Sequence, residues 1–235
     1  GGGRLYRFVD DPEVKDTELL FEAEKGRILF DFCFHPKFLE NGYVYFGTNG
    51  PGSKGFDGKT TRVSRYTMDP KPPFKLNADS ETVIIEWLSD GHNGGVIRFG
   101  QDGMLYVTSG DGTSDSDLPL IGQNMTVLLS KLLRINVDQT TPAQGDKPAK
   151  NYSVPGDNPF VGKEGVVPET WAYGLRNPWR MTVDEKTGHI WIGNNGQDLW
   201  EQAYFVRKGD NYGWSVMEGS HVFYDDRPKG PTPFV

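Results

Sequence analysis

One local pattern recurs three times along the chain and constrains its fold more than any other feature. Each copy has an apolar run, a short polar turn ending in glycine, and a second run rich in aromatic residues: "RILFDFCFHPKFLENGYVYFGTNG" at 27–50, "GGVIRFGQDGMLYVTSGDG" at 94–112 and "PWRMTVDEKTGHIWIGNNGQ" at 178–197. Such runs are typical of strands, and glycine supplies the positive φ that a tight hairpin turn requires. The pattern therefore predicts three β-hairpins that turn at Gly42, Gly103 and Gly188.

Further strand candidates follow the three units: "TRVSRYTM", "LLSKLLRINVD" and "EQAYFVRKGDNYGW". Strand clusters that repeat with loops of variable length are typical of a β-propeller, whereas a β-sandwich would explain the strands but not the repeat. We interpret 50–60, 69–80 and 138–165 as linkers, the last being either a functional loop or a poorly ordered one. No domain boundary is evident, so we expect residues 1–235 to form one propeller domain or the N-terminal part of one.

Composition excludes several classes of function. The net charge is -7 and no basic face is visible, which disfavours a nucleic-acid partner. The chain has no apolar run of about 18 residues, so we expect no membrane span. Cys33 is the one cysteine; it lies in an apolar run and is expected to be a buried, inert thiol.

The stretch "DGHNGGVIRFGQDGMLYVTSGDG" at 90–112 carries the first candidate site residues. His92 precedes a pair of glycines, where a ligand or another backbone segment can approach closely. Asp111 follows the second strand and could accept a hydrogen bond from the imidazole, which would fix its tautomer. Two interpretations stay open from the residues alone: a catalytic base with its carboxylate, or an ordinary turn histidine.

Two further segments offer groups that bind ligands. In "AYGLRNPWR", Arg176 and Asn177 follow a strand-like run, and a guanidinium suits a carboxylate or quinone oxygen; the alternative is an ion pair on a loop. The stretch "GNNGQ" exposes the backbone carbonyls of Asn195, Gly196 and Gln197 at a strand end. Hard cations such as calcium bind to carbonyl oxygens of this kind. The later "NYGW" is interpreted as structural.

Five stretches together resemble the soluble glucose/sorbosone dehydrogenase family, which uses pyrroloquinoline quinone. They are "HNGG…GMLYVTSGDG", "LLSKLLRINVD", "YSVPGDNPFVG", "PETWAYGLRNPWR" and "GNNGQDLWEQAYFVRKGDNYGW", in this order, and the resemblance runs from about residue 28 to 219. It implies an all-β, six-bladed β-propeller of the quinoprotein glucose dehydrogenase type. The chain has material for about four blades, so the propeller is expected to be incomplete.

The resemblance also implies an enzyme that oxidises the anomeric hydroxyl of an aldose sugar to a lactone, with hydride passing to the quinone. It implies catalytic roles for His92 as general base and Asp111 as its orienting carboxylate, and cofactor-binding roles for Arg176, Asn177 and Asn195. Gly196 and Gln197 would hold calcium through their main-chain oxygens. An external electron acceptor and a periplasmic or secreted location are implied as well. We expect these residues to come from separate blades and converge at one face, and we expect His92→Ala to be more damaging than Asp111→Asn.

Departures from the family pattern leave alternatives open. Trp179 and Asn195 stand where the family's sugar dehydrogenases carry glutamine, and nothing after Gly219 matches the later cofactor-binding Lys and Arg residues. Missing C-terminal blades or a homo-oligomer could complete the ring. The chain also resembles the hedgehog-interacting-protein branch, a non-catalytic propeller interaction module, although a single cysteine argues against that disulfide-rich branch. A calcium-dependent lactonase would need a carboxylate cluster that the sequence does not supply.

Overall fold

The computed structural model describes residues 2–235, and nearly all of its regular structure is β. Within these residues the chain forms fifteen strands and one helical turn, α1 (Phe38–Asn41). The strands, in chain order, are β1 (Arg4–Arg7), β2 (Glu18–Glu22), β3 (Ile28–Phe34), β4 (Tyr43–Pro51), β5 (Lys59–Met68), β6 (Leu76–Leu88), β7 (Ile97–Phe99), β8 (Leu105–Ser109), β9 (Lys131–Ile135), β10 (Thr170–Tyr173), β11 (Asn177–Val183), β12 (Ile190–Asn195), β13 (Gln202–Val206), β14 (Met217–Glu218) and β15 (His221–Val222). The predicted all-β class is confirmed.

Three antiparallel sheets follow one another along the chain, each built in sequence order. Sheet I contains β3 to β6, sheet II contains β7 to β10, and sheet III contains β11 to β13. The hairpins β1–β2 and β14–β15 form two-stranded sheets of their own. Each predicted hairpin is confirmed as the first two strands of one sheet, so the repeated sequence pattern marks where each sheet begins. The material expected for about four blades forms three sheets of blade size and two hairpins.

The three turn glycines have the backbone conformation that the sequence predicts. Their φ angles are 66° at Gly42, 76° at Gly103 and 73° at Gly188, which is the left-handed region. Gly42 also ends α1 by donating its N–H to the carbonyl of Phe38. Glycine is thus required at these positions for its conformation, and the three hairpins depend on it.

Apolar side chains fill the spaces between neighbouring sheets. The layer between sheets I and II includes Tyr45, Val63, Leu105 and Leu133, and the layer between sheets II and III includes Val96, Leu132, Met181 and Ile192. At the centre, β7 contacts both β3 and β11, and the rings of Phe30 and Trp179 lie 5.8 Å apart. Because the first strands of the three sheets adjoin, the loops at their ends come together.

Of the three segments interpreted as linkers, 50–60 joins β4 to β5, while the other two carry more structure. The stretch 69–80 is only partly a linker, because β6 begins at Leu76. The first residues of β6 are mostly polar, so the sequence there does not show the apolar alternation of a strand. The long segment 138–165 buries Phe160, and its Asn151 side chain donates to the carbonyl of Val83 in β6 at 2.8 Å, so it is held to the body of the protein. Cys33 is partly buried, and burial raises the pKa of its thiol, which suits an inert cysteine. Among residues 2–235, no helix has the length and hydropathy to cross a membrane.

Candidate functional site

His92 and Asp111 meet where the loop before β7 passes the end of β8. The His92 N–H donates to the carbonyl of Thr113 at 2.9 Å, and the Gly112 N–H donates to the carbonyl of His92 at 3.0 Å. A side chain on Gly110 would collide with the His92 carbonyl oxygen, 2.2 Å from the position of its Cβ. The glycine therefore permits the close approach that brings the imidazole to the carboxylate.

The Asp111 carboxylate is fully buried and accepts hydrogen bonds on both oxygens. Its Oδ1 accepts from His92 Nδ1 at 2.9 Å and from the N–H and hydroxyl of Thr113 at 2.9 and 3.0 Å. Its Oδ2 accepts from the indole Nε1 of Trp214 at 2.8 Å. Since a carboxylate accepts hydrogen bonds, Nδ1 of His92 carries the proton and Nε2 is left with its lone pair. The side chain of His92 is 14 % exposed, so the pair can act on a molecule from outside.

Arg176 lies directly behind this pair. Its carbonyl accepts the Asp111 N–H at 2.8 Å. Its guanidinium donates to Gln197 Oε1 from Nε at 3.0 Å and from Nη2 at 2.6 Å. The guanidinium carbon stands 5.5 Å from the centre of the Trp214 ring. The backbone of Asp111 thus joins the candidate base to the candidate cofactor-binding arginine.

The Arg176 guanidinium is a buried positive charge held by neutral groups. Among residues 2–235 no carboxylate oxygen lies within salt-bridge distance of it, and its side-chain acceptors are neutral amide oxygens. Burial lowers the pKa of Arg176, an effect that the nearby charges of Asp111 and Glu218 oppose. A buried positive charge without a direct counter-ion is unfavourable unless an anion completes the site. The site is therefore suited to an anionic ligand.

Asn177 and Asn195 face each other at the first pair of β11 and β12 but differ in their partners. The side-chain oxygen of Asn177 is buried and has no hydrogen-bond partner within the described part of the chain. The side-chain amide of Asn195 donates to Glu201 Oε2 at 2.9 Å, and its carbonyl accepts from Arg176 at 3.3 Å. Asn177 thus keeps an unused polar atom for a ligand, whereas Asn195 holds the arginine through its backbone.

The loop that contains Gly196 and Gln197 lies against Glu218. Carboxylate oxygen Oε1 of Glu218 accepts the backbone N–H of Gln197 at 2.5 Å and that of Asp198 at 2.9 Å. In residues 2–235 no hydrogen bond ends on the carbonyl oxygens of Gly196 or Gln197, and no group of three His, Cys, Asp or Glu side chains could hold a metal. Free carbonyl oxygens are ligands that calcium accepts, so these two residues fit a calcium site built from main-chain atoms.

The candidate residues reach the site as two pairs. His92 and Asp111 flank the first hairpin of sheet II, while Arg176 and Gly196 flank the first hairpin of sheet III. The prediction that each comes from a separate blade is wrong, because a hairpin brings both of its ends to the same edge of a sheet. The structure brings all four to one edge, where the two sheets adjoin.

Sequence reasoning missed two residues at this site. Trp214, interpreted as structural within "NYGW", donates to Asp111 and lies beside Arg176. Glu218 binds the 196–199 loop from the β14–β15 hairpin. A buried indole usually needs an acceptor for its N–H, which is the one available signal for Trp214. No comparable signal marks Glu218.

Comparison with known families gives one match across almost the whole chain. The family model described as glucose/sorbosone dehydrogenase matches residues 3–232. The structure of the PQQ-bound form of aldose sugar dehydrogenase from Streptomyces coelicolor aligns with a TM-score of 0.69 and 25 % identity, covering 98 % of this chain and 61 % of that one. The predicted propeller type is confirmed by this likeness.

Curated relatives include proteins named for both branches of the resemblance. The HIPL1 protein of Arabidopsis thaliana is 33 % identical over 276 residues, which cover 100 % of this chain and 39 % of that protein. The hedgehog-interacting protein of Mus musculus is 32 % identical over 190 residues, covering 77 % of this chain and 26 % of that protein. The chain thus spans well under half the length of these two relatives.

Proposed function

The chain belongs to the glucose/sorbosone dehydrogenase family, and from that premise we propose that it oxidises the anomeric hydroxyl of an aldose sugar to a lactone, with pyrroloquinoline quinone and calcium as cofactors. One observation carries the proposal: the His92–Asp111 pair, with its carboxylate buried and its imidazole partly exposed, adjoins Arg176, a buried cation whose hydrogen-bond partners within residues 2–235 are neutral. A general base beside an anion-binding site is what hydride transfer from a sugar to an acidic quinone requires.

Each residue has a defined part in this proposal. Nε2 of His92 takes the proton of the anomeric hydroxyl, and Asp111 stabilises the imidazolium that results. Arg176 and the buried side-chain oxygen of Asn177 bind the quinone, while the carbonyls of Gly196 and Gln197 hold calcium. When bound, the quinone supplies the acceptor for the hydride that leaves the same carbon, and calcium polarises that acceptor. Loss of one proton and one hydride converts the hemiacetal carbon to the lactone carbonyl.

The proposal extends to the partners and location of the whole protein. An external electron acceptor must reoxidise the cofactor after each turnover. Further blades of a longer chain, or a second copy of this one, would supply the Lys and Arg groups that the family uses beyond the residues matched here. The expected location is periplasmic or secreted, and no nucleic-acid partner is expected at a net charge of -7.

Binding of pyrroloquinoline quinone in calcium buffer tests the proposal directly. A ligand that binds only the folded state stabilises it by about 2.7 kcal/mol at a hundred times Kd, so the melting temperature should rise with cofactor concentration. Isothermal titration calorimetry of the wild type, Arg176→Met and the exposed neighbour control Arg180→Met gives the affinities. Arg176→Met should weaken binding by about 10- to 100-fold, because hydrogen bonds to charged groups contribute about 1.5–3 kcal/mol. Arg180→Met should bind like the wild type.

The alternative is a non-catalytic propeller interaction module of the hedgehog-interacting-protein type. It is favoured by the 33 % and 32 % identity to the HIPL1 and hedgehog-interacting proteins. The same titration discriminates the two functions. Absence of both heat and thermal shift at saturating cofactor, in the 235-residue chain and in a longer parent, would leave the interaction module as the better proposal.

A further inference from the structure

Three successive backbone N–H groups converge on one carboxylate oxygen at the end of β12. Glu218 Oε1 accepts from Gln197, from Asp198 at 2.9 Å and from Leu199 at 3.4 Å. Glu218 is 5 % exposed and is presented by the β14–β15 hairpin, through its register pair with His221. Consecutive N–H groups that point to one anion form a nest, and here the nest is filled by a side chain of the protein itself.

The direction of these N–H groups fixes the direction of the carbonyls. In a trans peptide the N–H and the C=O of the same planar group point in opposite directions. The two peptide groups that join Gly196 to Gln197 and Gln197 to Asp198 are both trans. Because their N–H groups face Glu218, the carbonyl oxygens of Gly196 and Gln197 both point away from it, toward the opposite side of the loop.

Two further contacts hold the loop in this orientation. A Cβ at Gly196 would lie 2.5 Å from Glu218 Oε1 and 2.0 Å from the carbonyl oxygen of Trp200, so only glycine leaves room for the carboxylate. On the other side, Gln197 Nε2 donates to Asp115 Oδ1 at 2.9 Å while its Oε1 accepts from Arg176. The backbone is thus clamped between Glu218 and the arginine.

We propose that Glu218 is a positioning residue that orients the carbonyl oxygens of Gly196 and Gln197 toward a calcium ion. The inference rests on the proposed function, since it assigns to those carbonyls the calcium of the cofactor site. Glu218 would not itself be a ligand, because the oxygen that faces the loop is occupied by N–H groups on the side opposite to the carbonyls. Its effect on calcium is exerted through backbone geometry.

Calcium affinity in four proteins tests this role: the wild type, Glu218→Ala, Glu218→Gln and Glu201→Gln. Glu201→Gln is the charge-matched control, because Glu201 also lies near Arg176 but binds the Asn195 side chain and not the loop N–H groups. Calcium chloride is titrated by calorimetry in the presence of pyrroloquinoline quinone. Loss of a group that orients metal ligands costs about 10–100-fold in affinity, which is the expectation for Glu218→Ala. Glu201→Gln should weaken binding by no more than about fivefold, as for an exposed charge.

Glu218→Gln keeps an oxygen acceptor for the N–H groups and should retain most of the affinity. Hydrogen exchange in the calcium-free proteins supplies a second readout: the Gln197 and Asp198 amides should be protected in the wild type and lose that protection only in Glu218→Ala. Equal calcium affinity in the wild type and Glu218→Ala would overturn the inference alone, and so would an equal loss in Glu201→Gln. A wild type that binds no calcium would overturn the calcium part of the proposed function and this inference with it.

Discussion

At the scale of single residues, Asp111 organises the site because every polar contact of its carboxylate is an accepted hydrogen bond. His92 and Thr113 donate to one oxygen and Trp214 donates to the other. An asparagine at this position has one acceptor and one donor group. If its NH₂ faces Trp214, two donors point at each other. If its NH₂ faces His92 instead, Nδ1 of the imidazole must be the acceptor, and the proton then sits on Nε2, which can no longer act as a base.

This geometry changes the expected order of two substitutions. In a chain that turns over an aldose, His92→Ala should lower kcat by about 10²–10⁴-fold, the usual contribution of a general base. Asp111→Asn should lower kcat by a comparable factor, and not by the smaller one expected from the sequence. The reason is that the asparagine side chain has one oxygen, which cannot accept hydrogen bonds from both His92 and Trp214. The aldose oxidation rate with an artificial acceptor measures both, and full activity in His92→Ala would exclude it as the base.

Trp214→Phe provides a partner variant for Asp111→Asn. The phenylalanine removes the indole N–H, so the asparagine NH₂ can face it while its oxygen still accepts from His92. An unmet buried donor costs about 1–3 kcal/mol. The double variant should therefore be about 5- to 100-fold more active than Asp111→Asn alone, as measured in a double-mutant cycle. Additive losses would show that the indole does not act through the carboxylate.

At the scale of secondary-structure elements, the hairpin turns were predictable from the sequence, whereas the start of β6 and the contacts between distant segments were not. Gly103 and Gly188 predict turns because a positive φ is a local backbone requirement that glycine meets most readily. The start of β6 within 69–80 was missed, because proline and polar residues there conceal an outer strand. The contacts of Trp214 and Glu218 join segments far apart in sequence, which neither periodicity nor local motifs encode.

Two of the turn glycines, Gly103 and Gly42, can be compared by the effect of an alanine substitution on the free energy of unfolding. A Cβ at Gly103 meets no atom within 4 Å, whereas at Gly42 it would lie 2.4 Å from the Met68 carbonyl oxygen. Gly103→Ala should then cost only the left-handed backbone penalty, about 1–2 kcal/mol. Gly42→Ala should cost at least about 1 kcal/mol more, since overpacking adds about 1–3 kcal/mol. Urea unfolding of both variants measures the difference, and equal losses would contradict the clash.

Strand β9 carries a lysine that should make stability depend on pH. Lys131 is fully buried, and its Nζ donates to the carbonyls of Asn124 at 2.7 Å and Leu129 at 2.8 Å. Burial lowers the pKa of Lys131 to about 7 from its ordinary value of 10.5. Between these two values the unfolded chain binds a proton that the folded chain does not, so the free energy of unfolding rises with pH.

Lys131→Met isolates this contribution. From pH 7.5 to 9.5 the unfolding free energy of the wild type should gain about 2–3 kcal/mol relative to the variant, since one pKa unit corresponds to about 1.4 kcal/mol. Below about pH 7 both states of the wild type are protonated, and the difference should stop changing with pH. Urea titrations across this range measure it. A constant difference would indicate that the two carbonyls keep the ammonium charged.

At the scale of the whole molecule, the three sheets differ in what covers them. Sheet II packs on both neighbours, and sheet I packs on sheet II and on the β1–β2 hairpin. Within the described residues sheet III packs mainly on sheet II, and Trp179 of β11 also lies against Phe30 of sheet I. Its other face exposes Trp191 and Phe205, which are 45 % and 36 % exposed with ring centroids 5.6 Å apart. An aromatic pair on an open sheet face is typical of an interface.

We propose that this face of sheet III is covered by a further blade, supplied by a longer parent chain or by a second copy, and that residues 1–235 form one domain or the N-terminal part of it. The chain aligns over 98 % of its length with a structure of which it spans 61 %. The relative that it matches therefore has additional chain available for such a blade. A sequence alone could not identify this face, because the apolar residues at the start of β12 do not show which of its two sides packs on sheet II.

Trp191→Ser should therefore act differently in chains of different length. In the 235-residue chain the indole is partly exposed, so the substitution should cost little stability and should reduce any self-association seen by sedimentation velocity. In a parent chain that carries the additional blades the indole would be buried, and its loss should cost about 3–5 kcal/mol, as for large-to-small changes in a core. Leu39→Ser, at an exposed residue of α1, is the control and should cost little in both chains. An equally small effect of Trp191→Ser at both lengths, without any change in self-association, would mean that this face stays open to solvent and that the ring is not closed through sheet III.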